Sequence, residues 1–190
     1  MATQLAEDKG VLGLDNPMGT DGFEFVEYTA PDTALLRDLF TKMGFPAVAK
    51  HKRKDVTLHR QGEINFIINA EADSYAEAYA RDHGPSACAM AFRVKDAKAA
   101  FERAVRLGAT PVNNDVAHGE MDIPAIEGIG GSRLFFVDRY GDKGSIYEVD
   151  FDFFPDAQEK LEKLDSRLTY IDHLSARAAC APARSRARSA

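Results

Sequence analysis

Cysteine is nearly missing from this chain. Two thiols, Cys88 and Cys180, in 190 residues exclude a disulfide framework and a thiolate metal cluster. Histidine is scarce too: five residues are all the imidazole a metal site has to draw on. No apolar run approaches the ~20 residues that span a bilayer. The first nine residues carry Glu7 and Asp8 and lack the apolar stretch of a secretory signal. Nor is there an excess of basic charge, since the formal net charge is −6, which argues against a general nucleic-acid binder. A cytoplasmic protein with no nucleic-acid partner and no membrane partner is the expectation. What is present, 45% hydrophobic and 28% charged residues, is the profile of a soluble globular domain. The length suits one domain with a sizeable core and falls short of two.

Residues 1–21 are polar and read as an N-terminal arm. From Phe23 to Tyr28 apolar and charged residues alternate, the period of a half-buried strand. Asp32 or Thr33 suits the cap of a helix carrying Leu35, Leu36, Leu39, Phe40 and Met43 on one side, and Gly44 ends it. Short β segments at 47–51, 56–60 and 64–69 follow. A linking helix is predicted at 71–82, and then the order starts again. A strand at 87–94 leads to a helix capped by Asp96, with Ala99, Ala100, Phe101, Ala104, Val105 and Leu107 inward, stopped at Gly108. Strands are predicted at 111–113, 119–123, 134–138 and 145–151. The matching stops Lys-Met-Gly-Phe-Pro and Arg-Leu-Gly-Ala-Thr-Pro mark a duplicated module. The fold class is therefore α+β: two βαβββ modules, about 22–70 and 86–153, forming an open, barrel-like domain over 22–153. This resembles the vicinal-oxygen-chelate, or glyoxalase-like, architecture.

Residues 154–169 read as a linker containing a helix anchored by Leu161 and Leu164. Residues 170–174, Tyr-Ile-Asp-His-Leu, read as the first strand of a further module. Residues 175–190 use only Ala, Arg, Ser, Pro and Cys. They suit either a basic tail for phosphate or anionic lipid or, as we prefer, translation of a shifted reading frame. Their composition marks them as disordered in both cases.

Each chemical candidate has a plainer reading beside it. A turn centred on Asp55 sets His51 opposite His59, where two imidazoles can share a zinc, yet no third ligand is obvious and plain strand positions suffice. His83 suits a turn before Gly-Pro, and His118 with Glu120 has no partner in sight. Gly128-Ile129-Gly130-Gly131 is not followed by a helix, so it is a turn rather than a phosphate loop. Arg139 sits in a hairpin loop where it can pair with a carboxylate. Glu148 and Asp150 share a strand face, either as an acid–base pair or, the simpler pattern, as a solvated surface. Cys88 reads as a small core residue. Residues 50–54 make a charged hairpin tip without the aromatic platform of a single-strand binder.

Nine phrases in order carry a family resemblance. Asn-Pro-Met-Gly (16–19), Gly-Phe-Glu-Phe-Val-Glu (22–27) and Arg-Gln-Gly-Glu-Ile-Asn (60–65) come first. His-Gly-Pro-Ser (83–86), Met-Ala-Phe-Arg-Val-Lys-Asp (90–96) and Ile-Glu-Gly-Ile-Gly-Gly (126–131) follow. Asp-Arg-Tyr-Gly (138–141), Ile-Tyr-Glu-Val-Asp-Phe (146–151) and Ile-Asp-His-Leu (171–174) complete the set. Across residues 14–174 the chain resembles the N-terminal half of the bacterial 4-hydroxyphenylpyruvate dioxygenase family. The resemblance implies Fe(II) chemistry in tyrosine catabolism, converting 4-hydroxyphenylpyruvate and O2 to homogentisate and CO2, in a homo-oligomer. It implies iron held by two histidines and a glutamate. His173 matches the first ligand, and the other two are expected in a C-terminal catalytic domain that these residues do not include. The first strands of the two modules offer no histidine, so the domain is expected to be a filled, metal-free copy with no catalytic or cofactor-binding residue. Alone, the chain is expected to be inactive. A free-standing small-molecule-binding module and an oligomerisation module stay open as alternatives.

Overall fold

The computed structural model describes residues 15–114, 116, 118–164 and 168–175. Strand β1 (Thr20–Thr29) leads into α1 (Thr33–Lys42), whose first turn is capped by the Asp32 carboxylate accepting the Ala34 N–H at 2.9 Å. Gly44, at φ 82°, turns the chain out of that helix. Strands β2 (Ala47–His51), β3 (Val56–Gln61) and β4 (Ile64–Asn69) follow. Helix α2 (Tyr75–His83) starts where the Ser74 hydroxyl accepts the Glu77 N–H. The second half repeats the plan with β5 (Ser86–Val94), α3 (Ala97–Arg106, capped by Asp96), β6 (Pro111–Val112), β7 (Ala125–Glu127) and β8 (Arg133–Val137). Helix α4 (Ile146–Asp150), β9 (Phe151–Phe153) and α5 (Ala157–Glu162) come last.

Among the described residues nine strands form one sheet, in the order β6-β7-β8-β5-β1-β4-β3-β2-β9. Each module sets its first strand parallel to its last, β1 beside β4 and β5 beside β8, and the modules meet at the antiparallel pair β1–β5. The predicted α+β fold of two βαβββ modules is the one adopted. One sheet face is covered by helices. Leu36 and Phe40 of α1 pack on Phe45, Ile64 and Ile68, while Ala97, Ala100 and Ala104 of α3 pack on Val94 and Phe136. Each large apolar side chain so buried contributes about 1.5–3 kcal/mol. The other face curls around a cavity. Arg133 of β8 and His51 of β2 line that cavity together, although five strand spacings of about 4.8 Å would hold them far apart in a flat sheet.

Several expectations are corrected. Residues 145–151 are mostly helix, not strand: Ser145 caps α4, its hydroxyl accepting the Tyr147 N–H at 3.2 Å. Only 151–153 are β, and they pair with β2, so the end of the second module closes the edge of the first. The strand predicted at 119–123 lies instead at Ala125–Glu127, where β8 supplies a ladder. On α1 the stripe Leu36–Phe40 faces the sheet, while Leu35, Leu39 and Met43 are exposed. Leu107 and Ala99 likewise face outward from α3. The stretch 154–164 is no free linker, because Phe154, Ala157 and Leu161 pack into the main core. Residues 170–174 form no strand. Just before them the Thr169 carbonyl accepts the Glu63 N–H at 2.8 Å, and among the described residues no ladder pairs with 170–174. Residues 1–14 and 176–190, which carry most of the arm and tail readings and Cys180, lie outside the described residues.

Candidate functional site

The cavity is where the sheet brings chemistry together. Strand register sets two rows of side chains on its floor. Glu27 of β1 pairs with Ala89 of β5, and Ala89 with Arg133 of β8. One pleat along, Phe25 pairs with Ala91, and Ala91 with Phe135. In both rows the middle strand contributes only a methyl group, and in the second row the outer rings meet across it. The Phe25 and Phe135 rings stand 5.8 Å apart, tilted by 47°, within the range of favourable aromatic pairs. The cleft has a volume of about 410 Å³, so the expectation of a filled copy is corrected. Alanine at 89, on the cleft floor, leaves space that a larger residue would occupy.

The polar row is half-buried. Glu27 accepts a hydrogen bond from Asn69 Nδ2 at 2.8 Å and approaches Cys88 Sγ at 3.7 Å. Burial pushes its carboxyl pKa up, opposed by Asn69, Cys88, Arg133 and Lys54. The Arg133 guanidinium lies 3.8 Å from the centre of the Tyr75 ring, a cation–π stack. Among the described residues its one side-chain hydrogen bond is long, 3.5 Å to Asn114 Oδ1, and no described carboxylate oxygen lies within 4.0 Å of it. Tyr75 is held by its hydroxyl, which shares its proton between the carbonyls of Cys88 and Gly131 at 2.8 and 2.7 Å. Burial raises the pKa values of Tyr75 and of the Cys88 thiol far from neutrality, so Cys88 is a core thiol and no nucleophile.

A second polar group closes the opposite wall. Lys54 Nζ meets Glu120 Oε2 at 2.8 Å, and His51 Nε2 lies 3.8 Å from Glu120 Oε1. His51 Nδ1 accepts the backbone N–H groups of Arg53 and Lys54, which puts the neutral ring's proton on Nε2. Burial lowers the His51 pKa, with Glu120 pulling the other way. Glu120 thus has the partners that the sequence did not reveal, because they come from the first module.

The other candidates scatter. His51 and His59 do not face each other, since the register sets Ala47 opposite His59, and His51 pairs with Phe151 instead. His59 is buried on the helix-covered face, its Nδ1 2.9 Å from the Phe45 carbonyl and its Nε2 without a hydrogen-bond partner. The Gly128–Gly131 run is the turn expected, ending in a short 3-10 turn. Arg139 Nε donates to the Ser145 carbonyl rather than heading a hairpin. Glu148 and Asp150 sit on α4, not on a strand, and Asp150 accepts the Met121 N–H at 3.2 Å. The His173 side chain is 80% exposed, and its partner is its neighbour Asp172 at 2.8 Å. Among the described residues no three His, Cys, Asp or Glu side chains gather closely enough to hold a metal ion.

Two βαβββ modules around a shared cleft, with first strands back to back, define a glyoxalase-like domain. The family model described as "Hydroxyphenylpyruvate dioxygenase, HPPD, N-terminal" matches residues 14–152. The chain belongs to that family of N-terminal domains. Hemolysin VllY of Vibrio vulnificus is 54% identical over 163 residues, and the 4-hydroxyphenylpyruvate dioxygenase of Pseudomonas aeruginosa 51% over 163. Each match covers 84% of this chain and 45% of the relative, so the chain spans under half the length of these proteins. Among solved structures, a xylose isomerase-like TIM barrel/4-hydroxyphenylpyruvate dioxygenase fusion protein superposes with a TM-score of 0.66 at 35% identity, covering 78% of this chain and 24% of that one. No helix among the described residues is long and apolar enough to cross a membrane.

Proposed function

We propose that these residues are the noncatalytic N-terminal domain of a 4-hydroxyphenylpyruvate dioxygenase, and that they do not perform the oxygenation by themselves. The whole enzyme would be cytoplasmic and homo-oligomeric, taking 4-hydroxyphenylpyruvate and O2 to homogentisate and CO2 with Fe(II). The observation that carries the reading is the donor set at His173. An exposed imidazole beside one carboxylate supplies at most two arms, and Fe(II) in such enzymes needs a facial triad. The residues present therefore do not fit a resident iron, and no step of the reaction is assigned to them. His173 would serve as the first ligand only when a second histidine and a glutamate are brought to it. The test is oxygen uptake by the purified 190-residue chain given Fe(II) and 4-hydroxyphenylpyruvate. A rate equal to the buffer blank is expected, and substrate-dependent uptake would overturn the reading.

A further inference from the structure

We propose that the cleft between the two modules binds a small planar carboxylic acid, with the carboxylate on Arg133 and the planar body over Phe25 and Phe135. A guanidinium offers five N–H donors in a flat fork that matches a carboxylate edge to edge. Arg133 is stacked on Tyr75, which fixes its plane, and spends its donors on one long bond to Asn114. A cation so placed, with no described carboxylate within 4.0 Å, has its hydrogen-bonding edge available to the cavity it lines. Rows two residues apart on a strand lie about 6.6 Å apart. An acid group on Arg133 therefore leaves an attached ring above the Phe25–Phe135 pair, 5.8 Å between centroids. Ala89 keeps the floor between Glu27 and Arg133 low enough to admit it. The volume, about 410 Å³, is that of a small-ligand pocket.

Charge decides between kinds of anion. Glu27 faces Asn69 from β4, Cys88 from β5, Arg133 from β8 and Lys54 from the β2–β3 turn. Glu71, Asp73, Glu120, Asp150 and His51 line the same cleft, with Glu120 tied to Lys54. A dianion such as phosphate meets the full repulsion of that carboxylate. A monoanion relieves it when Glu27 takes up one proton, a shift its buried setting already favours. Affinity for the acid should then rise as pH falls, and the dependence should weaken in Glu27→Gln, the remainder coming from His51 on the same cleft wall.

The proposal stands or falls separately from the dioxygenase reading, because its readout is binding and not oxygen uptake. Calorimetric titration of the full chain with benzoate, benzamide and benzylamine compares one ring carrying an anion, a neutral amide and a cation. Benzoate should bind about tenfold or more tightly than benzamide, the loss expected when a charge-assisted pair becomes a neutral one, and benzylamine weakest. Arg133→Gln, with the melting curve checked by circular dichroism, should abolish the preference for benzoate. Arg133→Lys, which keeps the charge without the fork, should retain part of it and serves as the second variant. Phe135→Leu should weaken benzoate and benzamide alike. Equal affinity for the three probes, no benzoate binding, or a benzoate affinity indifferent to Arg133→Gln would overturn the proposal.

Discussion

Strand β1 and residues 170–174 begin alike and end differently. Phe25-Val26-Glu27-Tyr28 and Ile171-Asp172-His173-Leu174 share a spacing in which a potentially ligating side chain stands third in four, with an apolar residue two before it and another just after. Around β1, β4 pairs on one side and β5 on the other, so Glu27 is held over a cavity opposite Arg133. Around 170–174 no ladder forms among the described residues. Ile171 alone reaches the Leu36–Phe40 core, and the His173 imidazole points to solvent. The same local pattern thus yields a preorganised group in one place and a bare side chain in the other. Pairing partners make the difference, because a strand cannot satisfy its own backbone.

The comparison can be broken from the β1 side. Glu24 is buried and accepts from Arg93 Nε at 2.6 Å, tying β1 to β5. Removing one partner of such a pair strands the other charge, so Glu24→Ala should lower unfolding stability by about 3 kcal/mol in urea melts. A loss below about 1 kcal/mol would mean that Glu63, which also meets Arg93 at 3.1 Å, replaces it at the level of a surface pair.

From the other side, Gly62 is the seat of the terminal segment. It sits at φ +57°, and a Cβ there would lie 2.5 Å from the Leu168 carbonyl oxygen. Gly62→Ala should therefore cost about 1–2 kcal/mol of backbone strain and dislodge 168–175 while leaving the sheet intact. Faster chymotryptic cleavage after Tyr170 with an unchanged far-ultraviolet spectrum is the expected result. Unchanged cleavage would show that the segment is held elsewhere.

The smallest effect sharpens the contrast between an enclosed and an exposed histidine. Burial lowers the pKa of His59 below the usual 6.5. A histidine whose folded pKa is depressed contributes fully above its unfolded value and loses that contribution as pH falls. Stability should decline between pH 7 and pH 5, and His59→Gln, which keeps a donor for the Phe45 carbonyl, should flatten the decline. An equal slope in the variant would assign the acid sensitivity to other groups, His51 first among them.

Much of the fold was legible from residue order. The caps Asp32 and Asp96 and the stops at Gly44 and Gly108 are local signals that lie where predicted. β1 is a strand as its alternation suggested, although Glu24, Phe25 and Val26 are all buried because both its faces are covered. The failures share one cause. At 145–151 the alternation of Tyr147, Val149 and Phe151 mimics a strand, but the Ser145 cap starts a short helix there. At 119–123 and 170–174 β-favouring residues found no ladder. Ala89 and Ala91 look unremarkable in sequence, and their meaning appears only when register sets them between Glu27 and Arg133 and between Phe25 and Phe135.

By itself the sequence determined the module, its repetition and the family signature, because caps, glycine stops and period-two alternation act within a few residues of one another. Tertiary structure alone decided that the cleft is open, that Glu120 meets Lys54, that Arg133 stacks on Tyr75 and that His173 stands apart. Those contacts join residues distant along the chain, and only strand pairing and register bring such residues within reach.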